Sequence, residues 1–249
     1  MEFHVDTDDK RMTTGIAGLD ELLQGGYPKG SITLVSGTPG TGKTIVCFQY
    51  INAGIANQEK CLFLTSDERI QNLMFQASKF GFDFSPAMEH GLLKFMHLDL
   101  EKHSVHKEME EEIRNGHYNR VVLDSLTPLS EVPIWVVNRG TELIPPQGGA
   151  VNAPFPIESI QATRMHVRRL LSILESDACT ALVTSEIAEG SRNLSRDSVS
   201  EFLVDGILLL DLDPSMDRRK LTIRKMRGTK HTLKPRDIEI NSKGGIRLV

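Results

Sequence analysis

Between Ser31 and Asp124 the chain alternates short, continuously apolar runs with helix-length stretches, and only a few folds accommodate that rhythm. The spacing predicts strands near 31–36, 60–65, 92–97 and 120–124, with helices over 43–56, 69–80 and 104–115 between them. Runs such as Arg120-Val121-Val122-Leu123-Asp124 and Thr180-Ala181-Leu182-Val183-Thr184 lack polar alternation, so both faces of those strands must be covered. A helix at about 158–176 and a strand at 180–184 continue the series of βαβ units. Closely spaced strands near 206–211, 219–225 and 236–240 then read as an antiparallel extension of a parallel sheet. The expected fold is α/β, with a central mostly parallel sheet flanked by helices. A single domain over 1–249 is the default for 249 residues that are 39% hydrophobic and 25% charged.

A net charge of −4 argues against a protein that coats nucleic acid through bulk charge. Cys47, Cys61 and Cys179 are far apart, each in an apolar stretch, and read as buried small hydrophobes rather than metal ligands or a disulfide framework. With no basic-then-apolar start and no apolar run approaching 18 residues, a cytoplasmic protein without a membrane partner is expected. One region breaks the rhythm. Residues 130–157 hold Pro133, Pro145, Pro146, Gly148, Gly149, Pro154 and Pro156 with the only tryptophan, Trp135, and a loop of that length is usually functional or disordered.

The chemistry begins where the first strand breaks into Gly37-Thr38-Pro39-Gly40-Thr41-Gly42-Lys43-Thr44, with Lys43, Thr44 and Ile45 opening the helix expected over 43–56. Gly37, Gly40 and Gly42 let the backbone turn so that successive amide N–H groups point at phosphate oxygens beside the positive end of that helix. Lys43 then neutralises the β and γ phosphates, and the Thr44 hydroxyl ligates a bridging Mg²⁺. Hydrolysis also needs a metal-ordering acid and a group that orients water. Asp124, at the carboxyl end of an apolar strand, suits the first role. Asp67 and Glu68, ending the strand Cys61–Thr65, suit the second, although Asp67 could instead cap the helix beginning near Arg69. Thr184-Ser185-Glu186 supplies polar groups where a γ-phosphate sensor would sit.

Arg218, Arg219, Lys220, Arg224, Lys225, Arg227, Lys230, Lys234 and Arg236 crowd into under twenty residues. Three readings compete: a solvated strand face, a nucleic-acid contact, or cations inserted into a neighbouring subunit's phosphate site. Spacing favours the last, because Lys225 and Arg227 lie two apart on one face of a strand before Gly228 turns the chain.

Across nearly its whole length the sequence resembles the KaiC-like branch of the RecA superfamily of P-loop ATPases. The lead-in from Thr14 to Gly30, the tandem acids Asp67-Glu68, the pair Asp124-Ser125 and the segment Lys225-Met226-Arg227-Gly228-Thr229 carry the resemblance, in the family's order. It implies ATP and Mg²⁺ as ligands, with ATP held by Thr38 to Ile45 of one subunit. Lys225, Met226, Arg227 and Thr229 of the next subunit of a ring, usually a hexamer, complete that site, with His231 near the base and sugar. Two departures stand out. The first acid is Asp67 where the family usually has Glu, and Glu201-Phe202 occupies the positions of the clock protein's phosphorylated Ser-Thr pair, with Ser198 and Ser200 nearby.

These readings combine into an expected Mg-dependent ATPase, slow because its acid is short and its site needs a neighbour, with a regulatory or signalling output. Two alternatives remain. One is a RecA-type DNA recombination or repair accessory acting through 130–157, where Arg139, Trp135 and Phe155 are a thin supply of nucleic-acid contacts. The other is an ATP-dependent autokinase.

Overall fold

The computed structural model describes residues 10–102, 104–131, 135–136, 143–144, 160–175 and 179–249. Nine strands form one sheet: β1 (Ile32–Gly37), β2 (Cys61–Thr65), β3 (Leu93–His97), β4 (Arg120–Asp124), β5 (Thr180–Glu186), β6 (Gly206–Asp213), β7 (Arg218–Met226), β8 (Arg236–Asn241) and β9 (Gly245–Leu248). Their order is β9-β8-β7-β6-β1-β5-β4-β2-β3. The pairs from β6 through β3 are parallel, and β6–β7, β7–β8 and β8–β9 are antiparallel. A mixed α/β sheet with its antiparallel extension at the C-terminus is therefore observed as expected.

The longer helices are α1 (Lys43–Ala56), α2 (Ile70–Lys79), α4 (Val105–Gly116) and α6 (Ile160–Leu174). Three are short: α3 (Ser85–Glu89) and α5 (Leu126–Glu131) lie between them, and α7 (Ser200–Leu203) follows α6. Alternate strand residues face two separate cores, which is why the strands read as unbroken apolar runs. Val35, Phe63, Val122 and Leu182 pack with Phe48 and Ile51 of α1, while Leu34, Leu62, Leu64, Val121 and Leu123 pack with Met109 of α4 and Leu170 of α6.

The lead-in is tied to the amino-terminal end of this sheet. Arg11–Met12 pairs with Tyr27–Pro28, and a one-turn helix, Leu19–Leu22, lies between them. Arg120, fully buried at the start of β4, pairs with Glu59 and donates to the Thr13 and Tyr50 carbonyls at 2.6 and 3.0 Å. Gln49 of α1 bonds Gly15 O at 3.1 Å and both backbone groups of Ile246 at 2.8 Å, so it joins the lead-in to β9.

Of the 130–157 region, Trp135–Val136 pairs antiparallel with Leu143–Ile144. Arg139 and Phe155 lie outside the described residues. All three cysteines are buried and free, and among the described residues no helix is long and apolar enough to cross a membrane.

Candidate functional site

The carboxyl ends of β1, β2, β4 and β5 open into a cleft of about 830 Å³, the place where open parallel sheets bind ligands. The loop after β1 forms its floor. A Cβ on Gly37 would meet Thr41 Oγ1 at 2.5 Å and Leu210 O at 2.7 Å. Gly42, at φ 104°, precedes the first residue of α1 in a left-handed conformation that favours glycine. Thr41 is buried and braces the loop by donating to Thr38 O at 2.8 Å. Lys43 is turned into the same loop, with Nζ 2.9 Å from Gly37 O and 3.2 Å from Thr38 O. Burial pushes its ammonium below the usual lysine range, opposed by the Glu186 and Asp124 charges.

Opposite the loop, Asp124 accepts from Thr44 Oγ1 at 2.8 Å and from Thr184 Oγ1. Burial raises its carboxyl, and the Thr184 and Thr44 hydrogen bonds and the Lys43 charge work against that shift. The hydroxyl of Thr44 and the carboxylate of Asp124 are the hard oxygen donors that Mg²⁺ takes, and such ions complete their shell with phosphate and water. Among the described residues no group of three or more His, Cys, Asp or Glu side chains forms a metal cage. A phosphate-bridged Mg²⁺ needs none, and the donor set fits it.

Both tandem acids line the cleft. Asp67 Oδ2 accepts from Ser125 Oγ at 2.8 Å, and Glu68 Oε2 accepts from Gln76 Nε2 of α2 at 2.6 Å. The helix-capping reading of Asp67 fails: the N-cap of α2 is Arg69, with no side-chain cap bond. Asp67 is thereby left facing the cleft. In the sensor segment, Thr184 is committed to Asp124, and Glu186 reaches the cleft wall.

The basic cluster divides. Arg219 points at the chain's own loop, with Nε 3.4 Å from Gly40 O. Lys225 and Arg227 sit at the other end of the sheet. The register pairs Gly206 with both Met226 and Thr33, and Leu210 with Gly37, so about 13 Å of strand separates the two ends. There Lys225 Nζ donates to the Glu201, Phe202 and Val204 carbonyls, and Arg227 Nη1 pairs with Asp205 at 3.0 Å. Met226 points the other way and is buried against Gly206, which leaves its backbone for any ligand. Thr229 Oγ1 accepts from Arg11 at 2.6 Å. His231 Nδ1 is buried with no hydrogen-bond partner among the described residues. The cleft thus gathers Thr44, Lys43, Asp67, Glu68 and Asp124, and does not gather Lys225, Arg227, Thr229 or His231 of the same chain.

Phe80, Gln76, Arg219 and Ile240 also line the cleft. Sequence reading offered no signal for Phe80 and Ile240, which come to it from the end of α2 and from β8. Arg219 was visible only as one of nine cations.

The family model described as "ATPase: KaiC" matches residues 12–135 and 153–249. The chain belongs to this family. The unmatched stretch, 136–152, falls inside the proline- and glycine-rich region. A UPF0273 protein of Methanopyrus kandleri is 33% identical over 94% of this chain and 90% of its own. The circadian clock oscillator protein KaiC of Prochlorococcus marinus is 27% identical over 89% of this chain and 42% of its own length. Among solved structures, the KaiC-like protein PH0186 of Pyrococcus horikoshii matches with a TM-score of 0.76 at 28% identity, over 96% of this chain and 99% of that one. Membership of this ATPase family supports an ATP-binding NTPase activity, and the glycine-rich loop after β1 lines the cleft.

Proposed function

We propose that the protein binds Mg·ATP in this cleft and hydrolyses it slowly, at a site completed by Lys225 and Arg227 of a second copy of the chain. The observation that carries the reading is the separation of the two cations from their own phosphate loop, at the opposite end of β1 and β6. A lysine and arginine that cannot reach the phosphates of their own chain can reach those of a neighbour in a head-to-tail ring.

In this reading the loop amides from Thr38 to Thr44 and the Lys43 ammonium grip the phosphates, exchanging the Gly37 and Thr38 carbonyls for phosphate oxygens. Thr44 and Asp124 would hold Mg²⁺, which when bound draws off charge developing on the phosphoryl oxygens. Asp67 orients the attacking water. It is fixed by Ser125, next to the metal aspartate, whereas Glu68 is committed to Gln76 on α2. The incoming Arg227 neutralises transition-state charge, and His231, with its unpartnered Nδ1, lies on the same delivered segment and reaches the nucleotide's sugar or base. Slow turnover follows from an acid one methylene shorter than glutamate and from the need for a neighbour's cations. The chemical energy serves a regulatory or signalling change in the assembly, a hexameric ring, or in a partner.

Lys43→Ala is expected to abolish ATP binding, and Arg227→Ala to leave binding within a few-fold while lowering turnover about 10³-fold. An Arg227→Ala protein with full turnover would remove the shared site from the account.

A further inference from the structure

Beyond the strand ends, the loop between β5 and α7 connects the two halves of this architecture. Two strand-end side chains beside the cleft hold it. Ser36, immediately before Gly37, donates to Leu194 O, and Ser185, next to Thr184, accepts from Arg196 N at 3.0 Å. Glu201 grips the same loop from the other side. Its Oε2 accepts from Leu194 N at 2.7 Å and from Ser195 Oγ at 3.0 Å. Glu201 also lies in α7, and the carbonyls of Glu201, Phe202 and Val204 are the acceptors of all the hydrogen bonds described above for Lys225 Nζ. An unbroken series of hydrogen bonds therefore runs from the phosphate-loop strand of one cleft to the lysine presented to the next.

Arg227 is held differently. Its partner Asp205 is fastened to Ile32, with the Ile32 N–H donating to Asp205 Oδ2 at 3.0 Å and the Asp205 N–H donating to Ile32 O at 2.9 Å. That end of β1 is remote from the cleft. Of the two cations, Lys225 is the one connected to its own chain's phosphate loop.

We propose that Glu201 is a positioning residue that couples adjacent nucleotide sites: it holds the carbonyl cage that parks Lys225, and it moves that cage with the loop that Ser36 and Ser185 fix. The proposal rests on the shared-site reading above. To reach a neighbour's phosphate, Lys225 must give up its carbonyl acceptors, so the cage competes with the γ-phosphate for the same three N–H donors. Nucleotide filling the chain's own cleft reorders the ends of β1 and β5, the loop follows, Glu201 draws on α7, and the cage opens. Each filled site thereby favours completion of the next, which is positive cooperativity in ATP.

The test is ATP-dependent turnover of the assembled full-length protein over a range of ATP concentrations. Wild type is expected to be sigmoidal, with a Hill coefficient above about 1.5. Glu201→Ala frees the cage, so the coefficient falls to about 1 and half-saturation moves to lower ATP, with maximal turnover within about twofold. Glu201→Gln keeps an oxygen for Leu194 and Ser195 and restores sigmoidal behaviour. Ser195→Ala, which removes one of the two Glu201 contacts, lies between them and serves if Glu201→Ala does not fold. Hyperbolic wild-type kinetics, or a folded Glu201→Ala protein that is as cooperative as wild type or has no turnover, would overturn the proposal. Arg227→Ala reports separately on the shared site, because its contacts bypass Glu201.

Discussion

Thr44 and Asp124, eighty residues apart in sequence, meet at 2.8 Å across the cleft, hydroxyl to carboxylate. The contact joins the first turn of α1 to the end of β4. It places two hard oxygen donors together where the phosphate loop ends, with Thr184 fixing the other carboxylate oxygen.

Removing one of those oxygens isolates the contribution of the proposed Mg²⁺. Thr44→Ala is expected to raise the Mg²⁺ concentration for half-maximal turnover about 10- to 100-fold, while ATP binding without metal stays close to wild type. Magnesium titrations of both proteins check this.

The tandem acids are separable by length and charge. Asp67→Asn should lower turnover about 10²-fold or more with ATP affinity kept, because the group proposed to orient water is lost while the loop and Lys43 are untouched. Asp67→Glu restores the family's usual acid and should raise turnover above wild type. Single-turnover rates for the two variants, beside Glu68→Gln, distinguish the acids.

Arg120 is a matter of stability rather than chemistry. Its guanidinium is fully buried, bonded to Glu59, Thr13 and Tyr50, and stacked 4.5 Å over the Tyr50 ring. Arg120→Met leaves Glu59 and two carbonyls without it and should cost about 3 kcal/mol in denaturant unfolding. The site is at the opposite end of β4 from Asp124, so ATP affinity should hold in the folded fraction.

Between α4 and α6, His106 and His166 face each other with Nε2 atoms 3.3 Å apart. Burial, with His106 adding to it, pushes His166 down to about 4, and burial also lowers His106, with Arg169 adding. The unfolded chain, with histidines near 6.5, binds more protons than the folded one between those values. This stability is therefore fully present above about pH 6.5 and is lost as pH falls toward 4, by up to about 1.4 kcal/mol per pH unit for His166. Urea unfolding from pH 7.5 to 4.5 should show that slope, and His166→Gln should flatten it.

The sheet was legible because two cores cover it, so strands such as Cys61–Thr65 and Arg120–Asp124 appear as unbroken apolar runs. The tight turn after β1 was legible because glycine stands where a Cβ would clash, at Gly37, and where φ is positive, at Gly40 and Gly42. Shorter elements escaped. Leu126–Glu131 has six residues with Pro128 among them, too few for a helical period, and the four-residue β9 begins on the second of two glycines at positive φ, Gly244 and Gly245. Longer-range facts could not be read locally. Arg219 and Arg227 belong to one basic cluster in sequence, yet β7 carries them to opposite ends of the sheet. Glu201 attracted notice only for what it replaces, and its contacts to Leu194 and Ser195 depend on how the loop returns over Ser36 and Ser185.

The shared site is tested most directly by mixing two inactive proteins, Lys43→Ala and Arg227→Ala, under conditions that let subunits exchange, and measuring ATP turnover. Random assembly places an intact phosphate loop beside an intact arginine at about a quarter of the interfaces, so roughly a quarter of wild-type turnover should return. A mixture that stays as inactive as its components would contradict a site built from two chains.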